Sequence, residues 1–285
     1  MYKCLNCNKR FQNKKRTTNF KKKIFKEYTW QRQTYSDLAN KYGKSKKWIQ
    51  TNLDEVEVQS IVKINKRNIV VVADVTFFSK TNGLCVFREP NLHKNIWWKF
   101  TDYERVRVYE QGKKHLEKNG FTIQAIILDG KRGVREAFGN IPAQMCHFHQ
   151  KQIVRRYLTN RPKLEASIEL KNIVKTLANT NEEIFSEQLN GWHEKWKDFL
   201  KEKTTDPETG RWHFTHKRLR SAYRSLKTNL PFLFTFLKYP ELNIPNTTNS
   251  LDGYFSSLKN KVNVHRGLTK KRREKVVVEL LKGRK

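Results

Sequence analysis

The run Asn68-Ile-Val-Val-Val-Ala-Asp74-Val-Thr-Phe-Phe78 constrains the fold more than any other stretch of the chain. It is almost unbroken in its apolar character and rich in β-branched residues, the pattern of a strand covered on both faces of a sheet. A carboxylate lies inside it. An unpaired charge in a dry interior costs on the order of several kcal/mol, so Asp74 needs a strand end, a cation or a metal. A strand-terminal Asp that caps a turn meets the same demand. A second apolar run, Phe121-Thr-Ile-Gln-Ala-Ile-Ile-Leu128, leads into Asp129-Gly130. Asp-Gly is also an ordinary turn signal. If the two strands are neighbours, their carboxylates meet at one point, and paired carboxylates attract a hard divalent cation such as Mg2+.

Charge sets the class of partner. The 285 residues carry 59 Lys and Arg against 27 Asp and Glu, a formal charge of +32, spread along the whole chain. Such an excess favours a polyanion. Seven Trp, within an aromatic share of 12%, are more than a disordered basic chain holds. A folded protein that handles nucleic acid fits best; a ribosomal-type structural protein is the bland alternative, though such chains are usually shorter. There is no secretory apolar segment at the start and no apolar run long enough to span a bilayer. The four Cys are mostly far apart and make no disulfide framework. A soluble, intracellular protein with no membrane partner is expected.

Residues 1–18 hold Cys4-Leu-Asn-Cys7 followed by Lys9-Arg10-Phe11, which reads as the second knuckle of a zinc ribbon. Tetrahedral Zn2+ takes four ligands. Cys4 and Cys7 supply two, and no second pair lies nearby. A first knuckle missing from the chain, a vestigial pair, and an ion shared by two chains all remain open. Residues 19–56 read as three short helices. Phe20, Ile24, Phe25 and Tyr28 share a face of the first; Thr34 to Gly43 forms the second; Ser45 caps a third that runs to Leu53. Helix, Gly-containing turn, helix is a helix-turn-helix pattern, with Lys46, Lys47 and Gln50 nearest DNA. A plain helical bundle with solvated charges is the alternative.

Residues 66–160 follow a polar connector over 56–67 and read as the first part of an α/β core. After the Asp74 strand come a return strand over 83–88, a third over 96–100, an amphipathic helix from Tyr103 to Asn119 stopped by Gly120, and the strand that delivers Asp129. Three strands as a meander, a helix, then a strand beside the first match the ribonuclease-H-like arrangement. A short helix over Lys131–Phe138, a fifth strand or its exit over Ile141–His149, and a basic helix with Arg155 and Arg156 are expected next. Cys146, His147 and His149 are metal-capable, but no fourth ligand lies close in sequence. Residues 161–243 read as a helical insertion, with Pro207 and Gly210 in a loop between helices. Residues 244–285 carry a final helix whose Leu251, Phe255, Leu258 and Val262 form one face. Thr247, Thr248 and Asn249 supply N-cap chemistry, and Asp252 sits in the first turn. The helix dipole alone would reward an acid there by about 0.3–1 kcal/mol. A basic tail follows from His265.

Four motifs act together: Ala-Asp74-Val-Thr-Phe, Leu-Asp129-Gly-Lys-Arg-Gly, Cys146-His-Phe-His149 and Asn-Thr-Thr-Asn-Ser-Leu-Asp252-Gly-Tyr-Phe. With the Cys knuckle and the helix-turn-helix, they resemble the Mutator-like group of bacterial insertion-sequence transposases, part of the DDE superfamily, over nearly the whole chain. Two departures stand out: Asp252 occupies a position where the family usually has Glu, and the zinc ribbon is half present. The resemblance implies a ribonuclease-H-like catalytic core in which Asp74, Asp129 and Asp252 hold two Mg2+ (or Mn2+) ions. Water would free a 3′-hydroxyl at an element end, and that hydroxyl would then attack target DNA. The resemblance also implies that Cys146 and His149 lie near the active site and position DNA. Arg155 and Arg156 are candidate phosphate contacts. The implied partners are double-stranded DNA, as terminal inverted repeats and as target, and further copies of the chain in an oligomer on DNA. The implied place is the nucleoid in the cytoplasm of a prokaryotic cell. Zn2+ on Cys4 and Cys7 would be a second, incomplete site. Two alternatives are an inactive DNA-binding protein on the same scaffold and a ribonuclease-H-like nuclease without strand transfer.

Overall fold

The computed structural model describes residues 2–11, 17–58 and 67–283. Most of the polar connector expected over 56–67 lies outside the described residues. The chain divides into two compact units, one formed by Met1–Lys63 with Tyr254–Lys285, the other by Ile64–Gly253.

The first unit opens with a small hairpin of β1 (Tyr2–Lys3) and β2 (Arg10–Phe11). Three helices follow: α1 (Thr17–Trp30), α2 (Tyr35–Tyr42) and α3 (Lys46–Asp54). Local chemistry fixes their ends. Thr34 and Asp37 form a reciprocal capping box on α2, the Thr34 N–H donating to Asp37 at 2.8 Å and the Asp37 N–H to the Thr34 hydroxyl at 3.3 Å. Gly43 ends α2 at φ +60°, a left-handed conformation that a Cβ penalises. Ser45 then caps α3 by accepting from the Trp48 N–H at 3.1 Å. Ile24, Phe25, Tyr28, Leu38, Ile49 and Leu53 are buried, so the apolar faces expected of the three helices form a core.

The second unit is mixed α/β. Strands β3 (Asn68–Ser79), β4 (Asn82–Glu89) and β5 (Lys94–Thr101) form an antiparallel meander. Helix α4 (Val106–Lys118) crosses to β6 (Thr122–Leu128), which pairs parallel with β3, and β7 (Ala143–Met145) pairs parallel with β6. The sheet order is β5-β4-β3-β6-β7. Val71, Val72, Ile126 and Ile127 are fully buried at its centre, as expected of strands covered on both faces. Ile69, Val71, Ala73, Phe87, Tyr109, Leu116 and Ile126 belong to one apolar cluster against this sheet. No continuous helix forms over Lys131–Phe138, as the sequence had suggested. Gly133 adopts φ +81° and breaks the segment, leaving turns and one 3-10 turn at Glu136–Phe138.

Helices α5 (His147–Leu158), α6 (Glu165–Thr176) and α7 (Glu182–Lys201) follow. The Pro207–Gly210 region is not a bare loop: it turns a hairpin of β8 (Lys203–Thr205) and β9 (Trp212–Phe214). Asp206 shapes that turn by accepting from the N–H groups of Glu208 and Thr209. Helices α8 (Lys217–Leu233) and α9 (Thr235–Lys238) complete the layer. Its core gathers Leu170, Phe185, Leu189, Trp192, Leu226 and Phe234, with Met145 of the sheet.

Helices α10 (Asn249–Asn263) and α11 (Lys270–Leu281) end the described chain, and the boundary between the units falls within α10. The basic tail therefore joins the leader. Lys275 donates to the carbonyls of Leu53 and Asp54 at 2.6 and 2.7 Å, capping the C-terminus of α3, and Arg272 grips the Asp54 carboxylate at 2.9 and 2.6 Å. His265 stacks on Tyr28 with ring centres 3.9 Å apart. Among the described residues no helix is long and apolar enough to cross a membrane.

Candidate active site

Strand register brings the first two acids together. Val72 pairs with Ile127 in the parallel ladder of β3 and β6. Asp74 and Asp129 each lie two residues further along, positions that the strand period assigns to the same face as Val72 and Ile127. The ladder ends at Val72 and Ile127, so both acids stand where the backbone begins to separate. Each is turned by a local hydrogen bond: Asp74 accepts from the Val75 N–H at 2.7 Å, and Asp129 from the Lys131 N–H at 3.0 Å. Gly130, at φ +87°, makes the turn after Asp129; a Cβ there would come within 2.6 Å of the Met145 sulfur.

The charges act on one another. Burial pushes the Asp74 carboxyl up to about 7; Asp129 adds to the rise, and Asp252 contributes in the same direction. His149 opposes it. The His149 imidazole is pushed up to about 9, chiefly by its hydrogen bond with Cys146, with Asp74 and Asp129 adding to the effect. It is therefore a cation at neutral pH.

Asp252, in the first turn of α10, is held by Thr248, whose hydroxyl donates to Oδ2 at 2.8 Å. Thr248 was expected only as capping chemistry. It is instead the centre of a network. Its N–H donates to the Cys146 sulfur at 3.2 Å, and its hydroxyl oxygen lies 3.2 Å from that sulfur and 3.4 Å from His149 Nδ1. A hydroxyl has one proton and two lone pairs. With the proton on Asp252, the lone pairs face Cys146 and His149. Burial would push the Cys146 thiol up, but hydrogen bonds from His149 and Thr248 outweigh it and hold the group below its usual range.

Cys146 is fully buried and meets Thr248 and His149, so any part it takes in positioning DNA would run through them. His147 also points away from any ligand role. Its Nε2 donates to the Leu233 carbonyl at 2.6 Å, which also accepts from Gln144 at 2.9 Å. These bonds, with Thr235 donating to the Ala143 carbonyl at 2.7 Å, pin β7 to the end of α8 and so fix the start of α5. Arg155 and Arg156 are exposed in the last turn of α5. In the first unit, Lys46 and Lys47 are exposed on α3 and Gln50 is half-buried.

Glu104 was not singled out by the sequence, where it reads as one acid in a polar turn. It is half-buried, accepts from the Tyr109 hydroxyl at 2.9 Å and pairs with the Lys131 ammonium at 3.2 Å. Burial pushes the Tyr109 hydroxyl far up, and Cys85, Glu104, Asp74 and Asp129 add to the rise.

Three carboxylates are hard oxygen donors of the kind Mg2+ takes. Among the described residues no three His, Cys, Asp or Glu side chains converge closely enough to grip one ion by themselves. Mg2+ needs no such cage, because it commonly uses one or two carboxylates with waters and substrate phosphates. At the other end of the chain, Cys4 and Cys7 sit on the turn of the β1–β2 hairpin, where the Asn8 N–H donates to the Cys4 carbonyl at 3.0 Å. Hydrogen bonds from Cys7 and Asn6 hold the Cys4 thiol below its usual range. Cys85 and Cys146 are buried in the other unit. The chain matches no protein-family model and no curated protein sequence.

Proposed function

We propose that this chain is a Mutator-like insertion-sequence transposase with a ribonuclease-H-like core, which cuts element ends and joins them to target DNA. The observation that carries the reading is the pair Asp74 and Asp129, each two residues past the last pair of the parallel β3–β6 ladder, with Asp129 and Asp252 both raising the Asp74 carboxyl. The sheet order, an antiparallel meander with two parallel strands added beside its first member, supports the ribonuclease-H-like assignment. The helix-turn-helix geometry of α2 and α3 supports a DNA-binding leader.

The residues fit the expected metal. Burial and a like charge hold the Asp74 carboxyl near 7 even with His149 and the Val75 N–H opposing them, and a divalent cation would favour its charged form further. Asp74 and Asp129 would hold Mg2+ or Mn2+, with Asp252 as the third ligand. Metal ions held by these residues would supply positive charge for an in-line displacement at phosphorus. The chain's own residues do the rest. Thr248 fixes the rotamer of Asp252. His149, protonated, directs positive charge at the phosphodiester. Arg155 and Arg156 hold flanking phosphates, and Lys46, Lys47 and Gln50 engage the duplex. Water attacks the phosphorus at the element end and the 3′-oxygen leaves. The resulting 3′-hydroxyl attacks a target phosphodiester, loses its proton and displaces that strand's own 3′-oxygen, which leaves as a hydroxyl, so one P–O bond replaces another and no bond to the protein forms.

The test uses the full chain, a labelled duplex ending in the DNA that bounds its gene, a supercoiled target plasmid and Mg2+ or Mn2+. Covalent transfer of label to plasmid is expected. Cutting without joining would replace the reading with a nuclease; DNA binding with neither would replace it with an inert scaffold.

A further inference from the structure

Strand β3 continues past Asp74 into a second feature. Phe77 and Phe78 wall an open cavity of about 380 Å3, completed by Ser79, Lys80, Tyr103 and Glu104. Successive strand residues normally point to opposite faces, yet both rings line this one space. The register of β3 against β4 shifts between Phe77 and Ser79, and such a bulge re-aims a side chain. Phe77 is fixed over Gly83, where a Cβ would meet its ring at 2.7 Å.

Opposite, the loop that presents Tyr103 is fastened by the Thr101 hydroxyl, which donates to the Tyr103 carbonyl at 2.6 Å. The Tyr103 ring is 56% exposed, and the Arg105 guanidinium lies 5.4 Å from its centre. Lys80 and Arg105 are exposed at the rim. The Glu104 carboxylate is held by Tyr109 and its charge is met by Lys131, yet two oxygens keep lone pairs for a further N–H donor. Lys131 also ties the cavity to the acidic centre, because its N–H bonds Asp129.

Aromatic walls, a fixed acceptor and a cationic rim suit a flat group that carries N–H donors and is attached to phosphates. An apolar side chain of a peptide would use neither Glu104 nor the rim. We propose that this cavity takes one unpaired base of the DNA strand engaged at the acidic centre, stacked on Tyr103 and Phe78, with Glu104 accepting from its exocyclic amine. Lys80 and Arg105 meet the adjoining phosphates. The inference rests on the proposed function for the path of the strand and deepens it: the site selects an opened DNA end. Adenine, cytosine and guanine carry the amine; thymine does not.

The test measures affinity by fluorescence anisotropy in EDTA, with the full chain, for a labelled duplex ending in a short unpaired flap and for the same duplex fully paired. Tyr103→Ala should weaken flap binding about tenfold, the loss of one base–aromatic stack, and paired-duplex binding less than twofold. Tyr103→Phe should bind the flap like wild type, and a flap of thymines should bind more weakly than one of cytosines. Unchanged melting temperatures exclude misfolding. Wild-type flap affinity in Tyr103→Ala, or an equal loss on both DNAs, overturns the proposal. The joining assay run in parallel separates the two claims. Joining without any Tyr103 effect ends the base site alone. A Tyr103-dependent flap preference in a chain that never joins DNA ends the transposase reading alone.

Discussion

Replacing Asp74 by Asn removes a charge that its surroundings oppose. The carboxyl is raised from an ordinary 3.8 to about 7, by burial first and then by Asp129. Its folded-state value lies above its unfolded one. Its favourable share of stability is therefore present below the ordinary carboxylate range and is lost as pH rises through 7. That gap is worth at most about 4 kcal/mol, and residual solvent at a half-buried group brings it to about 2 kcal/mol. For a unit of this size each kcal/mol moves the melting temperature by about 2–4 °C. Asp74→Asn should thus melt about 4–8 °C above wild type at pH 8, with the gap closing by pH 4. Millimolar Mg2+ at pH 8 should raise the wild-type melt and leave the variant's unchanged, since only the wild type gains by binding the ion. Thermal melts across pH, with and without Mg2+, read both effects. A variant that tracks wild type in parallel over the whole range would refute the account of Asp74 as a carboxylate whose charge burial and Asp129 oppose.

Thr248→Val cuts the link between Cys146 and Asp252 and should slow single-turnover cleavage by roughly 10–100-fold without changing DNA affinity, while Thr248→Ser keeps most of the rate; a Val variant that cuts like wild type would remove Thr248 from the site. Burial pushes His265 down to about 4. Its folded value lies below the ordinary one, so its contribution is present above the usual His range and is lost as pH falls through 6 towards 4. His265→Phe should abolish up to about 3 kcal/mol of acid lability in the leader unit, read by melts at pH 5 and pH 7; equal acid lability in the variant would contradict this. Lys46→Ala with Lys47→Ala should flatten the log–log salt dependence of DNA binding by roughly 0.9 for each phosphate the two ammonium groups neutralise in the wild type, measured by anisotropy titrations at several salt concentrations, and an unchanged slope would place both lysines off the DNA.

The central strands were legible because the signal is local. The apolar run before Asp74 and the run before Asp129 predict their strands directly, and Thr34, Gly43 and Ser45 mark the ends of α2 and α3 within a residue. The segment Lys131–Phe138 misled because its composition suits a helix, whereas Gly133 takes a positive φ that no helix holds. The β8–β9 hairpin went unseen because Thr205 and Trp212 carry little alternation and the Asp206 turn reads as loop. Thr248 was hidden for a different reason. Its partner Cys146 lies 102 residues away in sequence, and nothing near either residue signals the pairing. The spacing of Thr248 and Asp252, four residues apart at a helix start, was the one local clue. Lys275 on α3 is a similar long-range contact, which is why the tail read as an appendage of the core.

The central claim is that Asp74, Asp129 and Asp252 form one metal-dependent centre for phosphodiester displacement. Asp252 is its most exposed point, because a first-turn acid also suits the helix dipole, and because Asp is shorter by a methylene than the Glu usual in the family that the sequence resembles. The most direct measurement is single-turnover cleavage of a labelled DNA end in Mg2+ or Mn2+ by wild type, Asp252→Asn and Asp252→Glu, each matched for folding by thermal melt. A ligand must keep both charge and reach, since hard-cation distances tolerate little change. The account predicts that Asp252→Asn loses nearly all cleavage while still binding DNA, and that Asp252→Glu keeps it. If Asp252→Asn cuts at the wild-type rate and loses only about 1 kcal/mol of stability or less, Asp252 is a dipole partner and the three-acid centre is contradicted.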